Sequence, residues 1–269
     1  MPMLLIAVLV VAAMSGLMAL AYLGQRALGN AGWTDAFWGL SVGVSGTLGA
    51  LVPLSGEAVL SLRRCVIAVM IAAWSLRLFS HIAARSSGGH EDPRYAKIRA
   101  QKGEGFDRYM FGFLQIQGLA GAVFAIAAAL AAHAPLTGLD AMDGVGLFVI
   151  GLAVIGEAVA DAQLRAFKAS PGPRGRVCDV GLWAWSRHPN YVFEWLVWVG
   201  FFLMSLHMAY PIGLAAIAAP AFSYYLLRHV SGVPLLEDAM LASRGEAYRN
   251  YQARVGVFFP RLSLKRSRV

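Results

Sequence analysis

The first apolar stretch of the chain is MLLIAVLVVAAMSGLMALAYL, which occupies residues 3–23. It carries no charged side chain, and it has the length of roughly 20 residues that a helix needs to cross the hydrocarbon core of a bilayer. No Lys or Arg precedes it, and the first basic residue is Arg26, so the stretch lacks the charged start of a secretory signal. It is predicted to form a transmembrane helix.

Six further apolar stretches follow along the chain. The 269 residues are 58% hydrophobic and only 14% charged, with a mean hydropathy of +0.59, a composition that excludes a water-soluble domain and a disordered chain. We therefore expect an all-α integral membrane protein with seven transmembrane helices and a C-terminal amphipathic helix in the cytoplasm. The predicted spans are residues 3–23, 33–54, 62–84, 111–133, 145–167, 191–206 and 210–230, and the amphipathic helix covers residues 235–255.

The basic residues are distributed unevenly along this pattern. Most of the 23 Lys and Arg residues follow the first, third, fifth and seventh spans, whereas Arg63 and Arg64 lie on the opposite side. The loop at 134–144 on that opposite side carries Asp140 and Asp143 and no basic residue. Because cytoplasmic loops are enriched in Lys and Arg, the N-terminus is predicted outside and the C-terminus in the cytoplasm. The net charge of +8 then reflects topology and not nucleic-acid binding.

Ionisable residues inside a span are costly and therefore indicate function. The third span carries Trp74, Arg77, His81 and Arg85 at helical spacing, which predicts one face near its cytoplasmic end that lines an interior cavity. The alternative is that Arg77 and Arg85 extend to lipid headgroups.

The fifth span ends in a second charged stripe. Glu157, Asp161, Arg165 and Lys168 are spaced for one helical face. Buried carboxylates need donors, and Arg165 is one turn from Asp161. The stripe is therefore either part of a binding site or an intrahelical ladder of ion pairs that only fixes packing.

The third group lies at the entry of the sixth span. Pro189 suits the first position of a helix, which sets Asn190 and Glu194 four residues apart on one face at the cytoplasmic interface. Arg187 and His188 directly precede that helix start, where backbone N–H groups also point outward. Together with the other two groups, this predicts a site for a phosphate-bearing or zwitterionic cofactor.

Motifs of soluble cofactor sites are missing. No dinucleotide fingerprint follows a strand, no Walker motif occurs, and the two cysteines have no zinc-site spacing, so no metal is predicted. A haem held by His81, His188 and His229 remains conceivable. Arg228, at the end of the last span, is either a ligand or a positive anchor at the membrane surface.

Four blocks of sequence carry a family resemblance. They are SRHPNYVFEW at 186–195, EAVADAQLRAFK at 157–168, EDPRY at 91–95, and the ending from Tyr248-Arg-Asn-Tyr to Phe259-Pro. From about residue 35 onward, this combination resembles the bacterial branch of the steroid 5α-reductase family. The Arg-His-Pro-Asn-Tyr block alone is also similar to sterol C14-reductases and to isoprenylcysteine carboxyl methyltransferases.

The resemblance implies a single membrane-embedded reductase domain over residues 1–269, with residues 85–269 forming most of the cofactor-binding part. Such an enzyme holds NADPH in a cytoplasm-facing cavity and transfers a hydride to the C=C bond of a 3-oxo-Δ4-steroid or similar hydrophobic enone, as a 3-oxo-5α-steroid 4-dehydrogenase does. The implied location is the inner membrane of a bacterium. Its partners would be membrane lipids and a substrate that enters from the bilayer, and no nucleic acid.

The resemblance also implies roles for individual residues. Asn190 and Glu194 would fix the nicotinamide carboxamide, and Arg187 and Arg228 would contact phosphates. The ribose, adenine and phosphate part of the cofactor would be bound by Asp161, Leu164, Lys168 and Arg176. The complete expected cofactor-binding set is Arg85, Glu157, Asp161, Leu164, Lys168, Arg176, Arg187, His188, Asn190, Glu194 and Arg228.

The catalytic residues match the family less well. Hydride addition places negative charge on the ketone oxygen, so a hydrogen-bond donor is needed there. The family uses an acidic residue of the second span and an aromatic hydroxyl of the third. Here the acidic candidates are Asp35 and Glu57, and the third-span position is Trp74, which offers an indole N–H and no hydroxyl. A protonated Asp35 is the preferred ketone partner, and Tyr191 completes the expected catalytic set.

Two other functions remain open. An S-adenosylmethionine-dependent methyltransferase of the isoprenylcysteine type would share the His-Pro-x-Tyr entry and the Glu and Tyr-x-x-Tyr pattern of the C-terminal helix. The charged stripe at 157–168 and the basic segment at 94–102 argue against it. A non-catalytic lipid-binding bundle is disfavoured by the number of charges inside the spans.

Overall fold

The computed structural model describes residues 3–53, 60–88, 93–135, 138–172 and 175–261. Across these ranges the chain is helical and contains no strand, only an isolated β-bridge between Ser186 and Gly256. The prediction of an all-α protein is thus confirmed for this part of the chain. The α-helices described are α1 (Met3–Ala27), α2 (Trp33–Leu51), α3 (Leu62–Ser86), α4 (Pro93–Lys102), α5 (Phe106–Ala132), α6 (Ala141–Ala169), α7 (Pro189–Ser205), α8 (Ala218–Tyr225), α9 (Val233–Arg244) and α10 (Glu246–Arg254).

Within the described ranges, four helical segments are long and apolar enough to cross a bilayer, namely Met3–Ala27, Leu62–Ser86, Arg94–Ala132 and Ala141–Ala169. Their outer faces expose large aliphatic and aromatic side chains, such as Leu4, Val69 and Phe148, which lipid accommodates far better than water. The chain is therefore a membrane protein.

The remaining predicted spans coincide with shorter or irregular helices. Helix α2 has 19 residues and α7 has 17. The last predicted span consists of a 3₁₀ segment (Pro211–Ile217), α8 and a π-helical turn (Leu226–Val230). Seven spans thus stay a prediction.

Two predicted boundaries differ from the structure for local reasons. Helix α2 ends at Leu51, because Val52 precedes a proline and is extended. The C-terminal helix expected over 235–255 is two helices, α9 and α10, because Gly245 between them has φ +53°, a conformation that favours glycine. Pro234 lies in the first turn of α9, a position that suits proline.

The chain divides into two compact units. The first contains Met1–Asp143 and Met204–Ala218, and the second contains Gly144–Leu203 and Ala219–Val269. In the first unit, α2 packs against α1, α3 and α5. Small residues allow this close packing: a Cβ atom added at Gly43 of α2 would lie 2.1 Å from the Ser75 side chain of α3.

Helix ends of the first unit converge on two buried arginines. Arg63 and Asp143, 1% and 0% exposed, form an ion pair of 2.5 Å, and the Arg63 Nε donates to the Ala131 carbonyl at the end of α5 (2.8 Å). Asp143 and Asp140 also exchange backbone-to-side-chain hydrogen bonds of 2.8 and 2.9 Å, a capping box at the start of α6. Arg64 similarly donates to carbonyls at the end of α2.

In the second unit, glycines set the contact between α6 and α7. A Cβ atom at Gly156 would lie 2.2 Å from the Phe193 ring, and one at Gly200 would lie 2.3 Å from Ile150. These close approaches fix α7 against α6, and they place the start of α7 near the charged C-terminal half of α6.

Candidate functional site

The segment before α7 is tied to the C-terminal end of the second unit. The Arg187 backbone N–H donates to the Gly256 carbonyl (2.9 Å), and the Ser186 hydroxyl donates to the Val257 carbonyl (2.9 Å). The Tyr251 hydroxyl of α10 donates to the Trp183 carbonyl at 2.5 Å. The motif that carries the family resemblance is therefore held by residues about 70 positions further along the chain.

Arg187 is an internal anchor of this segment. Its side chain is 6% exposed, with Nε donating to Glu237 Oε1 at 2.7 Å and Nη1 donating to the Val255 carbonyl at 2.7 Å. The family resemblance implies a phosphate contact for Arg187, and that role stays a prediction. In the structure its Nε and Nη1 groups are hydrogen-bonded within the protein.

His188 presents one unsatisfied ring nitrogen. The residue is 1% exposed, its Nε2 lies 3.0 Å from Glu237 Oε1, and its ring stacks on Tyr191 with 5.4 Å between centroids. Nδ1 is buried and has no hydrogen-bond partner in the described part of the chain. Burial lowers the pKa of His188, and the charges of Arg187 and Arg228 add to this, against the opposing effect of Glu237. A neutral His188 with its proton on Nε2 leaves Nδ1 as an acceptor.

Glu237 of α9 connects these groups and was missed from the sequence. It accepts from Arg187 and His188 through Oε1 and from the Gln252 side chain through Oε2 at 2.8 Å. Burial alone would raise the pKa of Glu237, but the hydrogen bonds from His188 and Arg187 outweigh it and lower the pKa to about 2. From the sequence, a single Glu on an amphipathic helix cannot be distinguished from an ordinary surface residue. The one available signal was the Glu and Tyr-x-x-Tyr pattern that the C-terminal helix shares with isoprenylcysteine methyltransferases.

The charged stripe of α6 runs from the interior to the surface. Glu157 is 8% exposed, Asp161 and Leu164 are half-buried, and Lys168 is exposed. A short 3₁₀ turn (Gly181–Ala184) contacts the same helix, since the Trp183 indole N–H donates to the Ala160 carbonyl at 2.9 Å. The second unit therefore brings the C-terminal half of α6 together with the segment that leads into α7.

The remaining predicted cofactor residues of the second unit differ in their surroundings. Asn190 and Glu194 are half-buried in the first turns of α7, as predicted from Pro189. Arg176 folds back on the end of α6, where it donates to the Ser170 carbonyl at 2.7 Å and lies over the Phe167 ring. Arg228 is half-buried in the π-helical turn and has no hydrogen-bond or ion-pair partner within the described residues.

A separate polar cluster lies in the first unit. The Tyr95 hydroxyl of α4 donates to Asp35 Oδ1 at 2.8 Å, and the Arg94 guanidinium donates to Asp35 Oδ2 at 2.6 Å. On the neighbouring α5, the Gln117 carbonyl accepts a hydrogen bond from the Trp38 indole N–H at 2.9 Å. Each carboxylate oxygen of Asp35 thus accepts a hydrogen bond from a residue of α4.

Tyr95 is the second residue that sequence reasoning missed. It belongs to the EDPRY motif at 91–95, but its residue type and position gave it no predicted role. The structure forms α4 there and buries Tyr95 against Ala31, Phe106 and Met110. An aromatic hydroxyl therefore does lie next to the acidic residue of α2, although it does not come from α3.

The predicted face of α3 is only partly buried. Trp74 is 2% exposed and belongs to the packed interior of the first unit, Arg77 is half-buried, and His81 and Arg85 are exposed. Glu57, the other acidic candidate, lies outside the described residues.

Comparisons with known proteins place the chain in a family. Residues 21–255 match the family model described as "Protein of unknown function (DUF1295)", and the chain belongs to this family. The chain is also 35% identical over 89 residues to a Schizosaccharomyces pombe protein described as "Uncharacterized protein C594.04c"; the match covers 30% of this chain and 23% of the yeast protein. The chain thus spans less than a quarter of the length of that curated relative. No solved structure matches the chain.

Proposed function

We propose that the protein is an NADPH-dependent membrane reductase, similar to steroid 5α-reductases, that reduces the C=C bond of a 3-oxo-Δ4-steroid or another hydrophobic enone. Under this proposal it crosses the inner membrane of a bacterium seven times, with the N-terminus outside and the C-terminus in the cytoplasm. The substrate is apolar and enters from the bilayer, which fits a chain composed largely of apolar helices.

The observation that carries the proposal is the Tyr95–Asp35 hydrogen bond of 2.8 Å. The ketone oxygen of an enone gains negative charge as hydride adds to the β-carbon, and a donor positioned at that oxygen stabilises the transition state. Tyr95 is a buried phenol that can donate there. Methyl transfer to a thiolate or carboxylate has no need of such a donor.

Asp35 acts as a positioning residue in this proposal. Without substrate, Asp35 accepts the hydrogen bond from the Tyr95 hydroxyl. A bound ketone would compete with Asp35 for that hydrogen bond. The Arg94 guanidinium, 2.6 Å from Asp35, keeps the carboxylate paired while the phenol turns to the substrate. Tyr95 thereby replaces the protonated Asp35 expected from the sequence as the donor to the ketone.

The polar side chains of the second unit suit a cofactor that carries phosphate groups and hydrogen-bond donors. NADPH, when bound, supplies the hydride. Arg228 offers a guanidinium without a partner in the described part of the chain, and the buried Nδ1 of His188 offers an acceptor for a hydroxyl or carboxamide. Asn190 and Glu194 would hold the carboxamide, and the α6 stripe would hold the ribose and adenine. The wider proposed set within this unit is Glu157, Asp161, Leu164, Lys168, Arg176, Arg187 and Tyr191.

The methyltransferase alternative rests on one observation. The His188–Glu237 contact joins the His-Pro-x-Tyr entry to the C-terminal helices, and both features are shared with isoprenylcysteine methyltransferases. Thermal unfolding of the detergent-solubilised protein separates the two functions. The reductase predicts a higher melting temperature with NADPH and no change with S-adenosylmethionine, and the reverse result would replace the proposal with the alternative.

Tyr95→Phe tests the catalytic part of the proposal. Loss of one donor to a developing oxyanion costs about 100-fold to 1,000-fold in kcat, so Tyr95→Phe should lose that much NADPH-dependent enone reduction while the melting-temperature shift with NADPH persists. Product mass, increased by two hydrogens, is the readout. The matched control is Tyr225→Phe, which changes an exposed tyrosine and should retain full activity. Equal activity of the two variants would remove Tyr95 from the mechanism.

A further inference from the structure

An open groove lies at the start of α5, and its lining residue Phe113 contacts the Tyr95 ring edge-on, with 6.5 Å between ring centroids. It has a volume of about 520 Å³ and is lined by Lys102, Arg108, Tyr109, Gly112, Phe113 and Ile116. All these residues belong to the first unit, and they fall within the apolar segment Arg94–Ala132, which is long enough to cross a bilayer. The groove therefore begins at the polar end of a membrane helix and continues toward its apolar part.

The polar end of the groove is positively charged. Helix α4 carries four basic residues and no acidic one (PRYAKIRAQK). Two of these are engaged elsewhere: Arg94 pairs with Asp35, and Arg99 lies over the Phe106 ring. Lys102 lies over the Tyr109 ring at 4.6 Å, and Arg108 is exposed. Lys97, the remaining basic residue of α4, does not line the groove, so the two cations of the groove are Lys102 of α4 and Arg108 of α5.

Acidic neighbours do little to cancel this charge. Asp107, the acidic residue in the first turn of α5, pairs with Arg26 at 3.3 Å. Glu104 is exposed on the preceding 3₁₀ turn. The local excess of positive charge calls for an anionic ligand.

The other end of the groove is apolar. Tyr109 and Phe113 stack in parallel with 6.1 Å between centroids, and Ile116 is exposed. A Cβ atom added at Gly112 would have nothing within 4 Å, so this glycine leaves open space in the groove wall. From Arg108 to Ile116 a helix rises about 12 Å, which spans the step from headgroup depth into the acyl-chain region.

We propose that this groove binds an anionic phospholipid. Lys102 and Arg108 contact the headgroup phosphate, and an acyl chain lies along Gly112, Phe113 and Ile116. A free phosphate ion would contact only the positively charged end of the groove. A lipid whose headgroup carries a cationic group, such as choline, would be repelled by the two basic side chains. The argument for this lipid site does not use the proposed reductase activity, although Phe113 also contacts the Tyr95 ring.

Native mass spectrometry in detergent, with phosphatidylglycerol and phosphatidylcholine in competition, tests the proposal. The wild-type protein should retain phosphatidylglycerol preferentially. Lys102→Ala/Arg108→Ala should weaken that preference about thirtyfold, equivalent to about 2 kcal/mol at about 1 kcal/mol for each basic residue. Arg249→Ala/Arg254→Ala, a control that removes two exposed arginines of α10, should retain it.

A second variant keeps the charges and blocks the apolar end. Gly112→Leu fills the open space and should reduce phosphatidylglycerol retention at least fivefold, whereas Gly151→Leu, at an exposed α6 glycine with nothing within 4 Å, should have no effect. Equal retention of the two lipids by the wild-type protein would overturn the proposal. So would wild-type behaviour of Gly112→Leu, or displacement of phosphatidylglycerol by inorganic phosphate at equal concentration.

Discussion

Glu237 illustrates how much one side chain can determine in this protein. It is the shared acceptor for Arg187, His188 and Gln252, and its removal would leave the Arg187 charge buried without a carboxylate. Breaking a buried pair in this way costs about 3 kcal/mol or more. The residue therefore holds the segment that leads into α7, whatever ligand the second unit binds.

The pH dependence of stability follows from these residues. The pKa of Glu237 is lowered from 4.5 to about 2, so its stabilising contribution is complete above about pH 4.5 and is lost as the pH falls toward 2. The pKa of His188 is lowered below 6.5 by burial, so its neutral form also stabilises the fold above pH 6.5 and less below it. The melting temperature should therefore fall in two steps as the pH decreases from 8 to 3.

Glu237→Gln should lower the melting temperature at pH 7 and remove the step below pH 4.5. Asp238→Asn provides the control, since it neutralises an exposed carboxylate on the same helix and should leave both steps intact. If the two variants give the same pH profile, Glu237 is not the group that sets it. Circular dichroism of the detergent-solubilised variants measures the unfolding.

At the scale of an element, the packing of helix α2 against α3 depends on a single glycine. Gly43→Ala should lower stability by about 1–3 kcal/mol, because the added Cβ would lie 2.1 Å from the Ser75 side chain and α3 would have to move away. Gly16→Ala on α1 is the matched control, with nothing within 4 Å of its Cβ, and the higher helix propensity of alanine should leave it as stable or slightly more stable. Thermal unfolding distinguishes the two, and equal melting temperatures would mean that α2 and α3 are not packed at this glycine.

Local sequence signals predicted most of the elements, and contacts distant in sequence account for what was missed. Apolar length indicated the long helices, and Pro189 marked the start of α7. Tyr95 joins Asp35 across 60 positions, and Glu237 joins Arg187 across 50. Periodicity reports which face of a helix is apolar but not which polar residue on another helix it will meet. The break at Gly245 was missed because one glycine within a helical pattern is usually tolerated.

At the scale of the whole molecule, the structure explains why two arginines lie on the side of the membrane where few basic residues are expected. Arg63 and Arg64 are the basic residues predicted outside, and both are buried, donating to carbonyls at the ends of α2 and α5. Arg63 also pairs with Asp143 near the start of α6. The ends of α2 and α5 and the starts of α3 and α6 therefore meet at these two arginines. Successive helices that cross a membrane in alternating directions are expected to meet in this way. The charge of Arg63 is thus balanced by Asp143, and the Arg64 guanidinium is satisfied by carbonyls at the end of α2.

Cysteine accessibility tests this topology directly. In a background with Cys65→Ser and Cys178→Ser, single cysteines are introduced at the exposed positions Leu28, Leu139, Met208 and Ser243, and right-side-out membrane vesicles are treated with a membrane-impermeant maleimide. Leu139→Cys and Met208→Cys should react in intact vesicles. Leu28→Cys and Ser243→Cys should react only after the membrane is disrupted, because basic segments follow the first, third, fifth and seventh spans on the cytoplasmic side. The reverse pattern would invert the protein, and labelling of Leu28→Cys together with Leu139→Cys in intact vesicles would contradict the proposed sequence of crossings.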